Sequence, residues 1–350
     1  MNAYQKRRIR ILTYYLMGWT LAFLFLSIIR GVGTQEQGNL QFDFRSSMLI
    51  SFSLGPMFGL LSGVAQILIE ERMFRRISIR NLLFLRMGYA LCVVGALILL
   101  SFGAYRFLFG TQSNLISFAF ERGSISIYLY ILVVDLILNI FRQVNMMLGD
   151  GNLWKHLYGK FYTPREEARI FMFLDLQSST QLAETLGHLT YSSLIQDCFN
   201  DLGVVAEHEA EIYQYVGDEA VLTWELKNGL SNQNCLLAFF KFKKRLALRA
   251  SYYRQQYNCT PFFKAGLHCG IVTVTEIGKF KREIAYHGDP VNTAARIQAQ
   301  CNTYGKELLI SETLKDILPT DKFGFEQVGD LSLKGKQKNV VVYAAKELNG

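Results

Sequence analysis

At 350 residues the chain is long enough for two domains, and half of its residues are hydrophobic, a high share for a soluble protein. The net charge of +8 is unevenly placed: residues 1–150 hold 14 Lys and Arg against 7 Asp and Glu, while residues 151–350 hold 23 against 22. Cations that lie between long apolar runs argue against a nucleic-acid surface and fit the asymmetry of membrane proteins.

The first half carries four apolar stretches near the length of about 20 residues that a membrane helix needs. They are Ile11–Ile29, Met48–Ile69, Leu82–Leu100 and Ser124–Ile140. The first is too long, and too poor in a cleavage site, for a signal peptide. Lys6, Arg7, Arg8 and Arg10 precede the first stretch, and Arg72, Arg75, Arg76 and Arg80 separate the second from the third. The other two loops hold only Arg30 and Arg45, then Arg106 and Arg122. This bias predicts a multi-pass protein of the inner cell membrane with both termini in the cytoplasm. Asp135 falls within the fourth stretch, so it is expected to face other helices, as a structural contact rather than a sensor.

Residues 1–148 are therefore predicted to form an all-α membrane domain of four helices in a lipid bilayer. Phe141–Leu148 continues the fourth helical pattern, which Gly149, Asp150 and Gly151 break. Residues 149–164 read as a connector too short and apolar for a flexible tether. Thr163–Glu166 resembles a capping box, but the strand that follows leaves room for at most one helical turn.

Residues 165–350 read as a globular domain with three segments of chemical interest. Ala168–Leu174 is an apolar strand that ends in Asp175, followed by a helix start at Gln177-Ser178-Ser179-Thr180. An acid at a strand end beside a helix N-terminus suits a metal-bound triphosphate, since amides face phosphate and the acid holds the cation. Glu211–Val216 and Ala220–Trp224 read as a hairpin with Asp218 at its tip, so Asp175 and Asp218 can share metal ions. In Tyr286-His287-Gly288-Asp289-Pro290-Val291-Asn292, Pro290 suits a first helical turn. Asn292 and Arg296 then share a helix face, placing an amide and a guanidinium where phosphoryl charge develops. Taken singly, each segment has a bland reading: a strand-end acid, a turn pair, an exposed polar face.

In combination, FLDLQSST, YQYVGDE, KAGLHCG, YHGDPVNTAAR and LKGK resemble the class III adenylate/guanylate cyclase family over roughly residues 165–346. The resemblance implies an α+β domain built on a ferredoxin-like βαββαβ core. It also implies two Mg²⁺ or Mn²⁺ per site on Asp175, Asp218 and the Leu176 carbonyl. The amides of residues 176–180 would cradle the triphosphate, with Gln177, Ser178, Ser179 and Thr180 lining it. Asn292 would orient the ribose, Arg296 would stabilise the transition state, and Lys334 would contact phosphate. Family members work as homodimers with shared sites.

Two positions depart from the family pattern. Gln214 stands where adenylate cyclases usually have Lys and guanylate cyclases Glu, and Ala285 stands where a polar base-reading residue is common. A Gln amide donates and accepts, so it can pair with adenine or, flipped, with guanine. Tyr286 or His287 is then a candidate to supply what Ala285 lacks. The expected reaction is ATP to 3′,5′-cyclic AMP and pyrophosphate. The alternatives are a guanylate cyclase, or a degenerate domain that only binds nucleotide or signals. Val216–Ala220 echoes the diguanylate cyclase signature only faintly, and the four apolar stretches lack the broken helices of transporters. The six cysteines form no CxxC pair, and the histidines show no zinc spacing, so buried free thiols in a reducing compartment are expected.

Overall fold

A computed structural model describes residues 3–33, 44–72, 79–109, 114–149, 152–319, 322–331 and 339–348. The chain divides into two compact units that meet in sequence at residues 150 and 151. Lys334 lies outside the described residues, as do Arg75, Arg76, Asp150 and Gly151.

The first unit is helical: α1 (Ala3–Gly33), α2 (Phe44–Arg72), α3 (Ile79–Phe109), the short α4 (Leu115–Ala119) and α5 (Arg122–Met147). Among the described residues four helices are long and apolar enough to cross a membrane, over Gln5–Arg30, Ser47–Glu70, Arg80–Leu99 and Ser124–Met147. The first and last outrun the apolar stretches, because a helix keeps its backbone groups paired beyond the point where side chains turn polar. Met17, Leu21, Phe25, Phe52, Leu91 and Leu129 are exposed, while Tyr15, Trp19, Phe23, Phe58 and Ile131 are buried together. That is an apolar exterior around a packed interior.

Close packing of α1 on α2 depends on Gly55, Gly59 and Gly63, which recur every fourth residue. A Cβ at Gly59 would lie 2.5 Å from Leu16 Cα, and one at Gly55 would lie 2.7 Å from Thr20 Cα. Small residues let membrane helices meet backbone to backbone. Asp135 is 4 % exposed and accepts hydrogen bonds from Asn139 Nδ2 at 2.8 Å and Ser62 Oγ at 3.5 Å. Tyr15 donates to Asn139 Oδ1 at 2.8 Å, and Arg86 donates through Nη2 to the Tyr15 oxygen at 3.3 Å. The acid thus sits in a polar cluster drawn from four helices.

The second unit begins with α6 (Asn152–Leu157) and is built on β1 (Arg165–Leu176), β2 (Glu211–Val216), β3 (Glu219–Glu225) and β4 (Phe263–Ile277). Strand β1 starts at Arg165, so Thr163–Glu166 caps no helix. Between β1 and β2 run α7 (Ser179–Leu186) and α8 (His188–Leu202). Between β3 and β4 run the short α9 (Leu226–Leu230), then α10 (Asn234–Leu248) and α11 (Ala250–Tyr257). This is the βαββαβ order, with strands in the spatial order β2-β3-β1-β4, all antiparallel.

The sheet then extends. β5 (Glu283–His287) folds back on β4, α12 (Asp289–Ala299) crosses over, and β6 (Leu308–Ser311) adds in parallel to β4. After α13 (Glu312–Lys315), β7 (Phe323–Leu331) and β8 (Val340–Glu347) complete the sheet, β8 pairing with β6.

Strand β1 is apolar at consecutive positions because both of its faces are covered. Ile170, Met172 and Leu174 join a core with Leu194, Cys198 and Leu202 of α8 and Leu236, Phe239 and Phe242 of α10. Phe171 and Phe173 join the opposite core with Val221, Val272, Val274, Ala294 of α12 and Phe161. Helix α12 can press onto β4 because Gly266 has no side chain; a Cβ there would lie 2.8 Å from the Ala294 carbonyl oxygen. Cys198, Cys235, Cys269 and Cys301 are buried free thiols, while Cys259 is half-buried and Cys92 exposed.

Candidate functional site

Asp175 stands one residue from the end of β1, on the face of the sheet that α12 covers. The register sets Asp175 opposite Glu219 on one side and Lys264 on the other. Glu219 opens β3 immediately after the two-residue hairpin Gly217-Asp218, in which Gly217 adopts a φ of +63°. A left-handed turn residue is cheap only for glycine, and it brings Asp218 back over the end of β1.

The Asp175 and Asp218 carboxyls lie within hydrogen-bonding reach of each other. Burial, then the charge of Asp218, pushes the Asp175 carboxyl above its usual range, against hydrogen bonds from Gln298 and the Leu176 amide. Burial, then Asp175 and Asp218, pushes Glu219 up to about 7. Carboxylates gathered in one half-buried place repel, and a cation among them relieves both the repulsion and the burial. Among the described residues, no three His, Cys, Asp or Glu side chains form a ready metal cage. Two carboxylates and a strand-end carbonyl nevertheless fit a hard divalent cation, which characteristically draws its other ligands from phosphate and water.

A cleft of about 350 Å³ opens beside Asp175. It is lined by residues 175–181 together with Lys264, Gln298 and Asn302. Ser178 takes a φ of +58° and turns the chain into α7. The first helical N–H groups, of Ser179, Thr180 and Gln181, have no intrahelical acceptor and belong to residues that line the cleft. The expected cradle is shorter at its start. The Gln177 amide donates to the Phe262 carbonyl oxygen at 2.9 Å, closing the end of the β1–β4 ladder.

Helix α12 offers its two ends differently. Asn292 and Arg296 are both exposed on one face, four residues apart, and neither lines the Asp175 cleft. Gln298 reaches that cleft from the opposite flank of the same helix, and Asn302 follows just beyond it. Lys264, Gln298, Asn302 and Glu219 were not singled out from the sequence. The signal for Gln298 and Asn302 is a second four-residue spacing, which points away from the 292/296 face.

Gln214 is exposed on edge strand β2. It faces Val221 after a register shift that leaves Tyr213 without a partner on β3. Ala285 is buried on β5 opposite Thr275. The two positions are linked through their neighbours: the rings of Tyr213 and Tyr286 meet edge-on with centroids 4.9 Å apart. The Tyr286 ring also packs on Phe171 and under the Arg169 guanidinium, so it is held by the interior rather than offered to a base. His287 is exposed.

Residues 161–346 match the family model for the adenylate and guanylate cyclase catalytic domain. Adenylate cyclase 2 of Rhizobium meliloti (strain 1021) is 30% identical over 221 residues, which cover 63% of this chain and 61% of that protein. Adenylate cyclase 1 of the same organism is 25% identical over 185 residues, covering 49% of this chain and 26% of that one. The chain thus spans about three fifths and one quarter of the lengths of these relatives. Among solved structures, a bacterial light-regulated adenylyl cyclase aligns with a TM-score of 0.55 at 16% identity, over 65% of this chain and 67% of that one. At that identity it is the fold that is shared.

Proposed function

This chain belongs to the adenylate and guanylate cyclase family, and we propose that it is a membrane-anchored adenylate cyclase working as a homodimer. The observation that carries the reading is the separation of two half-sites within one chain. The acidic cleft at Asp175 is lined without Asn292 or Arg296, which stand exposed on another face of α12. A second copy whose α12 face meets the cleft would complete two identical sites, as a symmetric dimer requires.

In the reaction, the ribose 3′-oxygen forms a bond to the α-phosphorus of ATP, the bond to the β-phosphate oxygen breaks, and pyrophosphate leaves. The 3′-hydroxyl proton passes to water as the ring closes. Two divalent cations, Mg²⁺ or Mn²⁺, held by Asp175, Asp218 and the Leu176 carbonyl, would supply Lewis-acid stabilisation of both oxygens. Ser178, Ser179 and Thr180, at the N-terminus of α7, bind the triphosphate, and Gln177 lines its path. Arg296 offsets charge that grows on the phosphoryl oxygens, and Asn292 orients the ribose. Lys334 is assigned a phosphate contact from the Leu-Lys-Gly-Lys motif alone.

Gln214 and Ala285 supply the base-reading positions. ATP is favoured by the names of the relatives. GTP is the second reading, because the Gln214 amide can present either hydrogen-bond pattern and Ala285 adds none. The helices of the first unit hold the chain in the bilayer, with the second unit on the cytoplasmic side. Tethering in a membrane raises the effective concentration of one chain for another.

The test uses the full chain in membranes. Arg296→Ala and Asp175→Ala homodimers should each be nearly inactive. Co-expression should restore cyclic AMP production towards about one quarter of wild type, because a mixed dimer collects both defects in one site and leaves the other intact. No recovery from chains shown to pair would sink the shared-site reading. Wild-type turnover of neither ATP nor GTP with Mn²⁺ would leave the degenerate, binding-only domain in its place.

A further inference from the structure

Beneath the two base-facing positions the sheet holds a charge that stability alone does not explain. Arg169, on β1, is 0 % exposed. Its Nε donates to Glu167 Oε2 at 2.9 Å and its Nη1 to Glu211 Oε2 at 3.4 Å, while Nη2 has no partner. Taking a guanidinium out of water costs several kcal/mol, and well-packed apolar residues often replace such pairs at no loss. A guanidinium retained there and not fully satisfied has to do something that an apolar side chain does not.

What Arg169 touches supplies the role. Its guanidinium carbon lies 4.9 Å from the centroid of the Tyr286 ring. That ring meets Phe171 at 5.4 Å and Tyr213 at 4.9 Å, both edge-on. Tyr213 precedes Gln214, and Tyr286 follows Ala285. Among the described residues strand β2 pairs with β3 and β5 with β4, so the strands that carry Gln214 and Ala285 are not neighbours and are joined by backbone ladders only through β3, β1 and β4. Side chains add the direct link between them, through Tyr213 and Tyr286 over Arg169. Tyr213 is also the residue without a partner on β3, at the point where the strand is easiest to displace.

We propose that Arg169 is a positioning residue for purine selection, holding the Tyr286–Tyr213 contact that sets the spacing between Gln214 and Ala285. The inference rests on the cyclase activity proposed above. A cation over a ring face fixes both the tilt of the ring and its distance, which an aliphatic neighbour does not. Lysine is not equivalent, because the planar fork reaches Glu167 and Glu211 while lying over the ring. Base discrimination by one Gln amide depends on placement within a fraction of an ångström, so a displaced strand alters selectivity before it alters chemistry.

Glu211 and Glu167 also bind Lys155 and Lys160, from the segment that leads into β1, at 3.3 and 3.2 Å. The charge around Arg169 is therefore shared with that segment.

The experiment measures kcat/KM for ATP and for GTP with the full chain in membranes. The variants are Arg169→Lys, Tyr286→Leu and Tyr286→Phe. The first two should change the ATP/GTP ratio by about five-fold or more, chiefly through KM. Tyr286→Phe, which keeps the ring, should retain the wild-type ratio whatever its rate. If Arg169→Lys and Tyr286→Leu slow both nucleotides equally, Arg169 is a structural brace and the proposal is overturned. If Arg169→Lys does not fold, Tyr286→Leu decides alone, since it leaves the charge cluster in place. If the wild type turns over neither nucleotide, the cyclase reading has failed independently. The same ratio is then read from the binding of non-cyclisable ATP and GTP analogues, where an unchanged ratio again overturns the proposal.

Discussion

The acidic cleft at Asp175 and the exposed face of α12 are built from opposite materials. The cleft is concave and lined by a strand end, a helix start and polar side chains, and Asp175 at its edge lies beside Asp218 of the hairpin tip. The Asn292/Arg296 face is convex and exposed, and it lies on a single helix that Gly266 lets settle onto the sheet. Each is incomplete in a different way. Asp175, Asp218 and Glu219 gather carboxylates that a cation would relieve, and the helix face presents an amide and a guanidinium. A chain that carries both, apart, is suited to meet its own copy.

Breaking the cleft should have the largest effect. Asp175→Asn or Asp218→Asn should reduce kcat by about a thousand-fold or more, because losing a cation removes several kcal/mol of transition-state stabilisation. The circular dichroism of either variant should match wild type, and near-normal activity with Mg²⁺ would remove the residue from the metal site. Breaking the helix face should cost less. Arg296→Ala should lower kcat by about 10²–10³-fold, the range for one lost charge-stabilising donor, with a smaller change in KM. A change confined to KM would make Arg296 a ground-state contact.

Gln214→Ala tests a third element that belongs to neither half. It should move the ATP/GTP ratio of kcat/KM by about ten-fold, the worth of one or two hydrogen bonds in a desolvated site. A constant ratio would take Gln214 out of the base pocket.

The smallest effect separates the halves by pH. Asp175 and Glu219 are both pushed up in the folded chain, Glu219 to about 7. Their folded forms therefore hold protons that the unfolded chain has already released. Their contribution to stability without metal is then fully present below the ordinary carboxylate range and is lost as pH rises to about 7. Thermal midpoints of the full chain with a chelator, between about pH 5 and 8, should show this as a difference: relative to wild type, Glu219→Gln should gain stability as pH rises towards 7. Asn292→Ala, on the other half, should show no such gain. A difference between wild type and Glu219→Gln that does not vary with pH would mean that Glu219 is relieved by groups of the chain itself.

Much of this architecture is local and was legible in one dimension. The apolar runs announce long helices, each near the length of about 20 apolar residues that spans a hydrocarbon layer. The run Ile170–Leu174 announces a strand covered on both faces, and Gly217-Asp218 a tight turn. Asn292 and Arg296 share a face through helical spacing alone. What sequence left open was non-local. The partners of Asp135 are set by how α1, α2, α3 and α5 pack, and the four-residue spacing of Gly55, Gly59 and Gly63 becomes meaningful only once Leu16 and Thr20 are seen against it. The Gln177 amide is lost to Phe262, a residue 85 positions away, because the β1–β4 ladder ends there. Tyr286 reads as a candidate for the base pocket until the sheet sets it between Phe171, Tyr213 and Arg169. Periodicity fixes which side of an element a residue occupies; only the packing of distant elements decides what it meets there, because each contact depends on register and crossover that no single segment encodes.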